Sequence, residues 1–136
     1  PTGAATEATL NALYGILRLK NLALYDSLYS NTVTGNASSG NITLDLTAVP
    51  ANKLLVVTTC GLLLAAGSAT FLQLAISDGT NIRPFMRKLS PVLNEMITCP
   101  PFVVVPPGGF IRGTAGSVGA SSTASIYATG YYVNYS

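Results

Sequence analysis

The sequence predicts a mainly β chain, an antiparallel β-sandwich preceded by one N-terminal helical arm. Three observations carry that expectation. First, the stretch Pro100 to Gly113 sets an apolar run on either side of Pro106-Pro107-Gly108-Gly109. Proline cannot donate to a ladder and glycine supplies positive φ, so these residues force a turn between two strands. Second, Ile42, Leu44 and Leu46 alternate with Thr43, Asp45 and Thr47, the period-two pattern of a strand with one wet face. Third, upstream the period changes: Leu10, Leu13, Tyr14, Leu17, Leu24 and Leu28 recur at helical spacing.

Taken in order, Thr6 is placed to cap the helix, and Glu7 sits in its first turn, where the helix dipole favours a carboxylate. The helix is expected to reach about Leu28. Ile16, Leu19 and Leu22 widen its apolar surface beyond one stripe, so it must bury more than one side against its own sandwich, a copy or a partner. Lys20-Asn21 interrupts any heptad and argues against a long coiled coil. Ser30 to Asn41 is rich in Ser, Asn, Gly and Thr and reads as a linker. The expected organisation is therefore an arm over residues 1–30, a linker over 31–41 and a β-sandwich domain over 42–136.

Within that domain Val49 to Lys53 is a turn, Leu54 to Ala65 a long buried strand, and Thr70 to Ser77 its return. Asp78-Gly79-Thr80-Asn81 carries a hairpin signal. Ile82 to Leu93, interrupted by Pro84 and Pro91, fits an edge. Met96 to Val105, Phe110 to Thr114 and Thr123 to Tyr135 complete the series, with a small-residue loop from Gly116 to Ser122. About seven to eight strands at close spacing is the pattern of a sandwich of jelly-roll-like type. Leu54 to Ile76 is 23 residues without a charge, long enough to span a bilayer. Its Thr, Ser and Gln interruptions and its β-branched content favour two strands and a turn, so no membrane partner is expected.

Hydrophobic residues make up 49% of the chain but charged residues only 9%, against about 25% in a typical domain. A surface with so little charge has weak mutual repulsion and suits a chain that lives inside an assembly; the bland reading is a secreted monomer with a neutral polar surface. The net charge of +2 is too small and scattered for a nucleic-acid partner. No basic-then-apolar signal segment opens the chain, and Pro1 fits removal of an initiator methionine or trimming.

Chemistry is sparse. The chain has no histidine, which removes the usual general base and the commonest metal ligand. Glu7, Asp26, Asp45, Asp78 and Glu95 are dispersed, without the spacing of a catalytic acid pair. Gly108-Gly109 and Gly113 to Gly116 lack the lysine and following helix of a phosphate loop. No catalytic, cofactor-binding or metal-binding residue is expected, no cofactor, and no enzyme activity. Cys60 and Cys99 lack metal-site or redox spacing and leave one disulfide or two free thiols open. Two features suit binding. Arg83, Arg87 and Lys88 cluster on the expected edge, where they either dock an acidic surface or blunt the edge. Tyr127, Tyr131 and Tyr135 share one face of the last strand while Tyr132 points to the other; tyrosine suits interfaces and sugar-binding faces as well as cores.

Val49-Pro50-Ala51-Asn52-Lys53 leads into the long apolar strand. Phe102 to Gly113 then precedes a small-residue loop and a strand ending in Ala128-Thr129-Gly130-Tyr131-Tyr132-Val133. This style, over Ile42 to Tyr135, resembles small β-sandwich virion structural proteins of tailed bacteriophages, of the capsid decoration (cement) or tail-appendage type. The resemblance implies a non-enzymatic decoration protein on the capsid or tail surface. It also implies a homo-oligomer, trimeric in form, that grips the major capsid protein or another virion protein and reaches a neighbour with its arm. Leu10, Leu13, Tyr14, Leu17, Leu24, Leu28, Tyr127, Tyr131, Tyr135, Arg83 and Arg87 are the expected partner-binding residues. The alternative is a receptor- or glycan-binding module of a fibre, neck or tail tip, working through loops Asp78 to Asn81 and Ser117 to Ser122 with tyrosines as stacking platforms. A third reading is a secreted sandwich domain closed by a Cys60–Cys99 disulfide.

Overall fold

The computed structural model describes residues 25–99 and 103–134. Leu10, Leu13, Tyr14, Leu17, Leu24 and Tyr135 of the expected binding set lie outside the described residues, as does most of the expected helix. The described residues contain nine strands and no helix: β1 Tyr25–Ala37, β2 Ile42–Asp45, β3 Lys53–Ala66, β4 Phe71–Ser77, β5 Ile82–Leu89, β6 Met96–Thr98, β7 Val103–Val105, β8 Phe110–Gly116 and β9 Ser122–Asn134. They form two antiparallel sheets. Sheet A runs β1-β9-β3-β6, with β7 also paired to β3; sheet B runs β2-β8-β4-β5.

The first strand corrects two expectations. The helix was to reach Leu28, and residues 31–41 were to be a linker; instead Tyr25–Ala37 is one strand of thirteen residues paired with β9 along its length. A boundary after residue 30 falls inside it. The reason is its place at the rim of a sheet. Only one side of the strand meets the core, through Tyr29, Asn31, Val33, Gly35 and Ala37, while Ser30, Thr32, Thr34 and Asn36 face water. Such a strand needs few large apolar residues, so its composition mimics a linker. Asn31 ties it down: its side-chain oxygen accepts from the Thr47 backbone N–H at 2.9 Å and from Thr47 Oγ1 at 3.2 Å.

The long strand β3 shows why simple alternation is insufficient. A bulge between Val57 and Thr59 leaves Thr58 and Thr59 both exposed and changes the parity of the inward positions. Leu55 and Val57 point inward before it; Cys60, Leu62 and Leu64 point inward after it. These side chains meet Leu72, Leu74, Ile111 and Ala115 of sheet B in one buried cluster, so the two sheets share a core. The span Leu54 to Ile76 lies mostly in β3 and β4, and no helix of the described residues is long and apolar enough to cross a membrane.

Turn chemistry follows the punctuation. The Gly109 N–H donates to the Pro106 carbonyl at 2.9 Å, and Gly108 has φ 77°. Proline at the second position and a left-handed glycine at the third make this a type II turn. Asp78 closes the β4–β5 hairpin by accepting from the Thr80 and Asn81 N–H groups at 2.9 and 2.7 Å. The expected strand Met96 to Val105 is divided into β6 and β7, three residues each.

Tyr29 is 6% exposed and packs edge-on against Tyr132 with ring centroids 5.4 Å apart. Its hydroxyl is buried without a hydrogen-bond partner among the described residues, and burial pushes its phenol up to about 12. A buried unpartnered hydroxyl costs about 1 kcal/mol or more. Tyr29→Phe is therefore expected to stabilise the fold by about 1 kcal/mol, read as a higher urea midpoint with an unchanged slope.

Candidate functional site

Three ion pairs tie down charged side chains among the described residues. Arg112 grips Asp45 with two hydrogen bonds, 2.6 and 2.9 Å, and that carboxylate raises the guanidinium pKa further. Lys53 pairs with Asp26, whose carboxyl is held below the usual range by that bond, and Lys88 pairs with Glu95. The Asp78 carboxyl is likewise held low, chiefly by the Asn81 and Thr80 backbone N–H groups it accepts. No cluster of three or more His, Cys, Asp or Glu that could hold a metal occurs among the described residues. Cys60 and Cys99 are free thiols; the Cys99 N–H donates to the Cys60 carbonyl at 3.0 Å, and burial pushes the Cys60 thiol well above its ordinary range. A cavity of about 440 Å³ is lined by Asn36, Ala37, Ser38, Ser121, Ser122 and Thr123, without a titratable group or an aromatic ring.

The surface that stands out is the outer face of sheet A. Register places Leu28 of β1, Tyr131 of β9, Val56 of β3 and Val104 of β7 in one row across four strands. Leu28 is 79% exposed and Val104 50%. Tyr25, Val133 and Leu54 form the adjoining row, with the Tyr25 and Tyr131 rings 6.0 Å apart. Further along, Tyr127 lies over Gly61, where an added Cβ would sit 2.6 Å from the tyrosine ring and from Met96 Sδ. Beyond that the face turns polar: Thr34 Oγ1 and Ser125 Oγ share a hydrogen bond of 2.6 Å, and Thr123 Oγ1 donates to Asn36 Oδ1 at 2.7 Å. The outer face thus grades from apolar at the Tyr25 end to a hydroxyl and amide ladder at the Ala37 end.

Of the residues singled out in the sequence, Leu28, Tyr127 and Tyr131 share this face. Tyr132 turns inward onto the core cluster. Arg83 and Arg87 are elsewhere, on β5 at the rim of sheet B, where the Arg87 guanidinium lies 4.2 Å above the Phe71 ring. The loop Asp78 to Asn81 joins β4 to β5 of that sheet, and the loop Ser117 to Ser122 joins β8 to β9. Sequence reasoning missed Tyr25, Leu54, Val56 and Val104. For Leu54, Val56 and Val104, alternation with more deeply buried neighbours was the available signal. A second exposed apolar group, Leu89, Val92 and Leu93 with Met96, surrounds the β5–β6 connection.

No family model and no curated protein matches the chain. Solved structures do. A chain of Sulfolobus Turreted Icosahedral Virus is similar at 14% identity and TM-score 0.58, over 82% of this chain and 31% of that one; this protein thus spans about a third of that viral chain. A chain in the capsid of Helicobacter pylori bacteriophage KHP30 is similar at 13% identity and TM-score 0.53, over 82% of this chain and 96% of that one. A chitosan-binding module from a Paenibacillus chitosanase/glucanase aligns at 12% identity and TM-score 0.46, over 79% and 96%. At these identities the viral matches establish a shared β fold.

Proposed function

We propose that this chain is a non-enzymatic virion structural protein, a decoration or cement subunit that assembles with itself and grips a capsid or tail protein. The observation that carries the reading is the outer face of sheet A, an apolar row left facing water on a chain that is only 9% charged. The strand order adds support. Sheets ordered β1-β9-β3-β6 and β2-β8-β4-β5, with β6 and β7 sharing one position on β3, follow jelly-roll order, a fold common among viral capsid domains. The similarity to nearly the whole of a phage capsid chain is in keeping with such a place. A trimer, as the resemblance implies, is part of the proposal.

In this reading the β domain is a rigid platform and residues 6–24 supply an apolar arm immediately before Tyr25. Burial is worth about 25 cal/mol per Å² of apolar surface, so docking such an arm contributes several kcal/mol, enough to hold a subunit on a particle. A chain beginning at Tyr25 keeps all nine strands and is expected to remain folded by circular dichroism. It is also expected to lose at least tenfold in affinity when pelleted with particles. Unchanged pelleting would remove the arm from the proposal.

A further inference from the structure

We propose that the free edge of β1 is a self-association edge, on which a second copy of this chain adds its own β1 antiparallel and in register about Asn31. An exposed edge is a template for another strand, and proteins blunt it by shortness, charge or proline. β2 has four residues, and β6 and β7 have three each. The long rim strand of sheet B, β5, carries Arg83, Pro84, Arg87 and Lys88. β1 differs: thirteen residues without proline, lysine or arginine, paired among the described residues only with β9. Its one charge, Asp26, is already neutralised by Lys53.

The occupant follows from the strand's own pattern. Asn31 is the midpoint of Tyr25–Ala37. A two-fold axis there pairs Ser27 to Gly35 with the same stretch of the partner and keeps outward positions with outward positions, as sheet parity demands, while the bulge at Asp26 leaves Tyr25 outside that register. Asp26, the strand's one charge, sits in that bulge and pairs with Lys53, so no like charges meet across the axis. Leu28, otherwise 79% exposed, gains Thr34 of the partner subunit as a cross-strand neighbour. Ser30 faces Thr32 of the partner subunit, and the two A sheets become one. This deepens the assembly reading above but fails separately from it, because a two-fold contact produces even copy numbers whereas a trimer alone does not.

The test uses the full chain and a charge exchange. Ser30 and Thr32 are both exposed on the wet face, so lysine there leaves the core alone. The double variant S30K/T32K sets lysine opposite lysine twice across the axis, whereas S30K/T32E sets lysine opposite glutamate twice. Light scattering at matched concentrations is expected to give the parent an even multiple of 14.0 kDa. S30K/T32K is expected at half the parent's mass, and S30K/T32E at the full mass, all three with the same far-ultraviolet spectrum. An odd multiple or a monomeric parent overturns edge pairing. So does an unchanged mass in S30K/T32K, or equal dissociation of both variants. A parent of exactly two copies upholds the edge and rejects the trimer; three copies does the reverse. If the 24 residues before Tyr25 cover their own edge, the parent remains single and the proposal falls.

Discussion

Gly130→Val is expected to leave almost no folded protein. Gly130 lies on β9 opposite Val57, where the β3 bulge brings backbone against backbone. A Cβ at this position would drive into the Val56 carbonyl oxygen and come within 3.0 Å of both the Val56 carbonyl carbon and Val57 Cα. None of these atoms is a flexible side-chain end, so β9 and β3 must separate or re-register. They are the two inner strands of sheet A, and a slip would turn inward residues outward. Overpacking of side chains costs about 1–3 kcal/mol; a clash with fixed backbone belongs beyond that, on the order of 4 kcal/mol. Against a total stability of roughly 5–15 kcal/mol, that loss is seen as a collapse of the soluble fraction and of the urea midpoint. Thr129→Val, one residue away on the outer face, is expected within about 0.5 kcal/mol of the parent.

The second large effect is Leu62→Ala. Leu62 is fully buried, and it enters with Ile126 a notch that Gly113 leaves on sheet B. A Cβ at Gly113 would sit 3.1 Å from Leu62 Cδ1 and 3.0 Å from Ile126 Cδ1, so the sheets are in contact there through these two side chains. Truncation opens a cavity between two hydrogen-bonded sheets that cannot close independently, and about 3 kcal/mol is expected. Leu62→Met keeps the volume and is expected to cost under about 1.5 kcal/mol. The readout is the urea midpoint at constant slope.

These positions also show what was legible beforehand. The alternation at Ile42, Leu44 and Leu46, the uncharged run Leu54 to Ala65, and the Pro-Pro-Gly-Gly turn are local signals, and each marks an element the structure contains. Pro84 and Arg83 marked the rim of sheet B for the same reason. β1 was illegible because a rim strand buries one side only, and Asn31, Gly35 and Ala37 suffice when Leu44 and Thr47 pack or bond against them. The end of the expected helix at Leu28 failed likewise, since Tyr25 to Leu28 pair with β9. For the candidate face, parity along β9 already put Tyr127 and Tyr131 together. The row they join required the register of four strands, and the bulge after Val57 reverses parity along β3. Non-local pairing decides which residues become neighbours; local pattern decides only which way they face.

The proposed role makes this chain a structural part of a virus particle. The most direct measurement is a cryo-electron-microscopy reconstruction of purified particles from the chain's source, with the chain's presence established by mass spectrometry. The expected result is density for this two-sheet fold at symmetry-related positions on the capsid or tail, with the outer face of sheet A or the segment before Tyr25 against a neighbouring subunit. Particles that lack the chain, while it accumulates free in the same lysate, would contradict the claim.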